Sequence, residues 1–112
     1  MEADMDVATA RTIWGTIDKT TLENLKMDLF RKAVAYARIR SEWFFHDTEQ
    51  RKEQDRVRTL AHNAFIDACN ILSRNMAKIG EDNKWRELLT NDRKAIGDFA
   101  CWLHALIGIS MR

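Results

Sequence analysis

The sequence predicts an all-α fold: an antiparallel helical bundle of four main helices plus a short connector helix, in one domain covering residues 1–112. The chain has no proline and only four glycines, and these are the residues that most often interrupt helices. Apolar residues recur every three or four positions along most of the chain. They make up 46% of it, against 31% charged residues, a balance typical of a compact domain that buries about two thirds of its surface.

The first two helices are predicted from apolar periodicity and from one capping signal. Residues 6 to 16 predict a short helix that supports the bundle from the side. A second helix begins at Thr20-Thr21-Leu22-Glu23, which has the spacing of a capping box. It is expected to run to about Phe45. Its buried stripe is predicted to contain Leu22, Leu25, Leu29, Ala33, Tyr36 and Ala37, widened by Phe30, Val34 and Phe44.

The third helix is predicted to be the longest, from residue 48 to residue 79. Asp47 is its expected N-cap, with Gln50 completing a capping box. Gly80 suits a left-handed C-terminal cap. The predicted buried stripe contains Val57, Ala61, Ala64, Ala68, Ile71, Leu72, Met76 and Ile79.

The connector helix and the last helix complete the predicted bundle. A short helical turn is expected over residues 84 to 89, followed by Asn91 or Asp92 as the cap of a helix over 93–109. This last helix is apolar nearly all round, so we expect it to be the central and most enclosed element. We also expect it to begin at the end of the third helix remote from the turn before Asp47.

The turn between the second and third helices carries consecutive aromatic residues, Trp43, Phe44 and Phe45, followed by His46. The two helices of this hairpin are longer than the others, so its tip is expected to extend beyond them. Monomers seldom leave such an aromatic patch in water. We therefore predict an interface at these four residues, formed with a second copy to give a homodimer or with another protein. In an alternative interpretation, residues 49–56 form a loop and the first helix folds over the aromatic rings.

Charge and composition exclude several classes of function. A net charge of +1 argues against nucleic-acid binding, which needs an excess of basic residues. The N-terminus is acidic and resembles no secretory signal, so we expect an intracellular, cytoplasmic protein. The apolar run over 99–111 is too short to span a bilayer. Cys69 and Cys101 lie within apolar helical patterns and are expected to be reduced core thiols.

No motif of a metal, cofactor or phosphate-loop site stands out in the sequence. Ferritin-like sites need Glu-x-x-His pairs, and none of the histidines follows a glutamate at that spacing. The doublet of His46 and Asp47 lacks the upstream histidine of metal-dependent phosphohydrolases. Glu42 and His46 have helical spacing, but two ligands of this kind often occur by chance. The prediction is therefore no metal and no cofactor.

The third helix also carries a polar stripe beside its apolar one. Arg58 and His62 lie one turn apart, and Asp67 and Arg74 continue the polar side. We favour a buried polar network of these four residues with Asp98, the single acid within the apolar last helix, which needs a partner if it is buried. The alternative is catalytic: a histidine beside arginines can act as a base near a bound phosphate.

Two resemblances bear on function. Arg56, five intervening residues and His62 resemble the Arg-x(4–6)-His motif of HEPN-domain ribonucleases. That resemblance implies His62 as acid or base and Arg56, with Arg58 nearby, as phosphate contacts across a dimer cleft; Val57 departs from the polar residue usual after the arginine. The segment over 58–112 is similar to small all-helical bacterial or phage proteins grouped as a domain of unknown function, which implies no activity.

The sequence therefore predicts a protein that works by association rather than by catalysis. Self-association through the hairpin tip is the leading hypothesis, with a partner protein as a further possibility. The alternative is a HEPN-like RNA-cleaving or nucleotide-binding domain that uses Arg56, Arg58 and His62.

Overall fold

The protein is all-helical throughout the part that the structure describes. The computed structural model describes residues 5–90 and 92–110, with side chains up to residue 106 in the last helix. The five helices in this part are α1 (Val7–Asp18), α2 (Glu23–Trp43), α3 (Thr48–Lys78), α4 (Trp85–Leu89) and α5 (Arg93–Ser110). No strand occurs among the described residues. The predicted all-α class is confirmed.

The helix at the centre of the fold is α2 rather than α5. It packs along α3 on one side and along α5 on another, whereas α3 and α5 touch each other over a much shorter length. The buried side chains of α2 form a stripe of Leu29, Ala33, Tyr36 and Ala37. The prediction that α5 is the central helix was wrong, because an apolar circumference does not fix which helix contacts the most neighbours. Among the described residues, however, α5 has a larger buried fraction than α1, α2 or α3, as predicted for the most enclosed helix. His104 and Ala105 of α5 are exposed.

The short helices α1 and α4 pack against each other. Ala10, Ile13 and Ile17 are the buried residues of α1, and Trp85 and Leu89 are those of α4. The indole N–H of Trp85 donates to the Met76 sulfur of α3 at 3.4 Å, which fixes this pair to the hairpin. Since the main partner of α1 is the short connector, an antiparallel bundle of the four main helices is not confirmed.

The chain after α3 runs back along that helix towards the hairpin tip. The Arg86 side chain donates to the Asn70 amide oxygen at 2.7 Å, and Arg93 donates to the Thr59 hydroxyl at 3.3 Å. Thr59 lies in the half of α3 nearer to the tip. The start of α5 is therefore beside this half of α3 and not at its far end, contrary to the expectation from the sequence.

The helix ends follow the predicted capping signals in three of four cases. The Asp47 carboxylate accepts from the Gln50 backbone N–H at 2.8 Å, while Asp47 N–H donates to the Gln50 side chain at 2.9 Å. Gly80 has a φ of 78° after α3. Asp92 caps α5 by accepting from the Ala95 N–H at 3.2 Å, and Asn91, the other candidate, lies outside the described residues.

The predicted capping box of α2 does not form. Glu23 pairs with Lys26 at 3.1 Å instead of reaching back to the cap. The Thr21 hydroxyl and backbone N–H both donate to Glu81, at 2.6 Å and 3.1 Å. A carboxylate from the end of α3 therefore satisfies this helix start. Because that contact is remote in sequence, the local spacing around Thr20 could not predict it.

The buried stripe of α3 is narrower than predicted. Ala68, Leu72 and Met76 are buried as expected. Val57, Ile71 and Ile79 are exposed instead, because α2 and the segment after α3 cover only part of the circumference of this long helix. The predicted stripe therefore combined residues from two sides of α3, one packed against the fold and one exposed to solvent.

The two cysteines have different surroundings. Cys69 is fully buried, and this burial raises the pKa of its thiol to about 12. Cys69 is therefore a protonated core thiol of low reactivity, as predicted. Cys101 is only half-buried and lies 3.7 Å from the Arg40 guanidinium. Among the described residues, no helix combines the length and apolar character needed to cross a bilayer.

Candidate functional site

The hairpin tip is built by a tight turn that the ends of α2 and α3 hold in place. The Phe45 N–H donates to the Glu42 carbonyl at 2.9 Å, and the His46 N–H donates to the Trp43 carbonyl at 3.2 Å. The Asp47 capping box then starts α3 at Thr48. Since residues 49–56 are helical, the alternative that they form a loop is wrong.

Two adjacent aromatic side chains project from this turn into solvent. Phe44 is 69% exposed and Phe45 is 88% exposed. α2 ends at Trp43, so Phe44 does not widen the buried stripe of α2 as predicted. The first helix does not fold over these rings, since it packs against α4. The tip therefore presents an exposed apolar pair on a hydrogen-bonded turn.

Trp43 differs from its two neighbours because arginines of α3 cover it. The Arg58 guanidinium carbon lies 4.7 Å from the centre of the indole ring, and that of Arg51 lies 5.7 Å away. Arg51 also donates to the Trp43 carbonyl at 3.1 Å. Such contacts of a cation with an aromatic face stabilise by roughly 0.5–2 kcal/mol. Trp43 and His46 are half-buried, so both are partly within the fold at the base of the tip.

Sequence reasoning missed the role of these arginines. Arg51 and Arg58 are seven residues apart and so share one face of α3. In an antiparallel hairpin this face could be predicted to lie beside the end of α2.

The predicted buried network of five polar residues is not assembled. Asp98 pairs with Arg40 of α2, whose Nη1 donates to the Asp98 carboxylate at 3.0 Å. Asp67 and Arg74 are exposed. Arg58 covers Trp43 instead of reaching Asp98. The partner of Asp98 is on α2 because α5 packs against α2 and only briefly against α3.

Gly97 makes the Arg40–Asp98 contact possible. A Cβ atom at this position would lie 2.8 Å from the Arg40 guanidinium carbon. The missing side chain therefore leaves a notch in α5 into which the guanidinium fits. No feature of the sequence singled out Arg40, although the isolated acid in α5 indicated that some basic partner was needed.

The three residues of the alternative catalytic hypothesis do not share one face of α3. Arg56 is exposed, whereas His62 packs edge-on against the buried ring of Tyr36 with 5.5 Å between ring centres. Nδ1 of the His62 ring lies 3.2 Å from the Asn63 side-chain oxygen. Arg56 and His62 therefore occupy different faces of α3, while Arg58 shares the face of His62.

The described residues hold no candidate metal site, and no match places the chain in a family. Nowhere in the described part of the chain do three or more His, Cys, Asp or Glu side chains come together as a possible metal site. Comparison of the chain with protein-family models, with curated proteins and with solved structures finds no match. The class of this protein is therefore defined by its own geometry, an all-helical fold with an exposed aromatic hairpin tip.

Proposed function

We propose that this protein is a helical association module that dimerises through the tip of its α2–α3 hairpin. The observation that carries the proposal is the exposure of two consecutive phenylalanines, Phe44 at 69% and Phe45 at 88%. Aromatic side chains dominate the binding energy of protein interfaces. The backbone hydrogen bonds of the turn fix the positions from which both side chains project, so little backbone entropy is lost on association.

The tip contributes useful energy but does not suffice for a stable dimer. Burying one phenylalanine ring stabilises by roughly 1.5–3 kcal/mol. A two-fold contact that buries four such rings gains roughly 6–12 kcal/mol, while association itself costs about 4–15 kcal/mol. Because the gain from burying the rings and the cost of association overlap, the tip alone leaves little net free energy of binding. A second contact surface is therefore needed for dimers at micromolar concentration.

The outward face of α3 supplies such a surface. Leu60 is 57% exposed, and Val57 and Ile71 are also exposed. Their spacing places them on one side of the helix, as in the seam of a coiled coil. The full set of outward seam positions is Val57, Leu60, Ala64, Asp67, Ile71 and Arg74. The two charged members weaken the seam, which favours a reversible dimer.

The two α3 helices must pair in parallel for this face and both tips to meet in one dimer. An antiparallel pair with Leu60 opposite Ile71 would place the two tips at opposite ends, roughly 50 Å apart. In the parallel pair, Leu60 of one copy lies opposite Leu60 of the second copy, and Ile71 lies opposite Ile71. The near-neutral net charge of +1 means that two copies do not repel each other strongly. These features favour a second copy of the chain as the partner.

Substitution of the tip tests dimerisation directly. We expect the wild-type chain to be a dimer at micromolar concentration by size-exclusion chromatography with light scattering. The double variant Phe44→Ser/Phe45→Ser should be a monomer with unchanged helix content, because both anchors are lost. Met27→Ser is the matched control, since Met27 is an exposed apolar residue of α2 away from the tip. A monomeric wild type across the micromolar range contradicts the proposal.

Disulfide trapping tests the register separately. Cys101 is replaced by serine, and the buried Cys69 can remain because its thiol is protonated. Chains carrying Leu60→Cys are then mixed with chains carrying Ile71→Cys and oxidised. The parallel register predicts disulfides between two Leu60→Cys chains and between two Ile71→Cys chains as the main products. Mixed disulfides as the main product would indicate an antiparallel pair and would contradict a dimer joined at its tips. A dimer without any crosslink would mean that the tip associates without α3.

A further inference from the structure

A groove on the tip side of the fold collects positive charge from three helices. Its volume is about 430 Å³, and it is lined by Arg40 of α2, Arg58 of α3, and Asp92, Arg93 and Lys94 at the start of α5. These residues are distant in sequence. They meet because the chain after α3 returns along α3 and begins α5 beside Thr59.

The groove collects cationic side chains although the whole chain is nearly neutral. Its three arginines outnumber the two carboxylates that the described part of the chain places beside them, Asp92 in its wall and Asp98 on Arg40. The whole chain carries a net charge of only +1. Bringing cations together costs electrostatic energy that a bound anion would recover.

The existing contacts orient these cations without neutralising all of them. Arg40 is fixed by Asp98 in the notch at Gly97. Arg58 lies over Trp43, an uncharged ring, and its buried Nε has no hydrogen-bond partner among the described residues. Arg93 donates to the neutral Thr59 hydroxyl at 3.3 Å. Buried donors without an acceptor are rare in proteins, and this one belongs to a residue that lines the groove.

The start of α5 adds to the same electrostatic pattern. α5 is an 18-residue helix, and the N-terminus of a helix carries a partial positive charge that attracts anions. Asp92 uses its carboxylate to cap the Ala95 N–H, so part of its charge is already engaged at the helix end. The arginines remain the main source of attraction for a ligand.

We propose that this groove binds a phosphate monoester of small-molecule size. A phosphate monoester carries a charge of about −1.5 to −2 at pH 7, which the arginines of the groove attract. Guanidinium groups bind phosphate oxygens through paired, charge-assisted hydrogen bonds. The volume falls within the range of about 300–1,000 Å³ that is common for small-ligand sites. This site is separate from the proposed dimer contacts and does not depend on them.

Calorimetric titration in a phosphate-free buffer tests the proposal with inorganic phosphate and with a nucleoside monophosphate as probes. We expect saturable binding of both, weakened at least about tenfold when Arg58→Gln and Arg93→Gln are combined, because charge-assisted hydrogen bonds are lost. Arg31→Gln is the matched control, since Arg31 is exposed on α2 outside the groove. Binding of the nucleoside monophosphate should also weaken as the pH falls through about 6, where its dianion is protonated.

Three outcomes would overturn the proposal. The first is no saturable binding of either probe, and the second is equal binding by wild type and the Arg58/Arg93 double variant. The third is binding of single-stranded RNA at concentrations where neither monophosphate probe binds, which would assign the groove to a polyanion. Circular dichroism of the double variant verifies that it is folded. The Phe44→Ser/Phe45→Ser chain should bind both probes as the wild type does, because neither residue lines the groove.

Discussion

Replacing Phe99 with alanine is expected to lower the free energy of unfolding by about 3–5 kcal/mol. Phe99 is fully buried in α5, where its ring lies 6.4 Å from that of Phe65 and stacks on Trp102 at 6.2 Å between centres. The substitution removes the ring from the contact between α5 and the hairpin and leaves a cavity. Urea unfolding followed by circular dichroism measures the loss, which is a large fraction of the 5–15 kcal/mol typical of a domain.

The matched control is Phe45→Ala, which removes the same side chain from an 88% exposed position. At a concentration where the protein is monomeric, this variant should change the stability by no more than about 0.5 kcal/mol. The contrast separates burial from residue type. A loss below about 1 kcal/mol for Phe99→Ala would mean that the contact of α5 with the rest of the fold is loose.

Replacing Asp98 with alanine is expected to cost about 1.5–3 kcal/mol, the range for a hydrogen bond to a charged group. Its carboxylate accepts from Arg40 at 3.0 Å and from the Met5 backbone N–H at 3.4 Å, so it joins three parts of the chain. The side chains of Arg40 and Asp98 are only 16% and 26% exposed. Removing the acid leaves a largely enclosed guanidinium without this partner.

The control for this prediction is the exposed ion pair of Asp28 and Lys32. Its atoms are 3.8 Å apart and both side chains are nearly half exposed, so Asp28→Ala should cost less than about 1 kcal/mol. A double-mutant cycle of Asp98→Ala and Arg40→Met isolates the pair, and the double variant should lose less than the sum of the single variants. Equal losses for Asp98→Ala and Asp28→Ala would show that the Arg40–Asp98 pair adds nothing.

Local signals in the sequence predicted helix positions with good accuracy. The capping box of Asp47 and Gln50, the left-handed Gly80 and the cap at Asp92 all depend on residues within a few positions of each other. Local interactions of this kind form in the same way wherever the helix packs. The tip was also predictable, because three consecutive aromatic residues next to a strong N-cap cannot all enter one helical face.

Partners across the fold could not be predicted in this way. The sequence indicates that Asp98 needs a cationic partner, and residues of α3 at suitable spacing were predicted to supply it. The actual partner is Arg40 of α2. The start of α2 likewise receives its acceptor from Glu81, about sixty residues further along the chain. Periodicity fixes which side of a helix is apolar, but it carries no information on which other helix covers that side.

The sequence by itself determined the all-helical class, the helix boundaries and the exposed aromatic turn, because these follow from backbone preferences and short-range spacing. Only the tertiary structure decided that α2 is the central helix and that the chain after α3 returns towards the tip. That return path brings Arg93 and Lys94 beside Arg40 and Arg58. The charged groove is therefore a product of how the helices pack, since the free energy of packing depends on contacts between residues far apart in the chain.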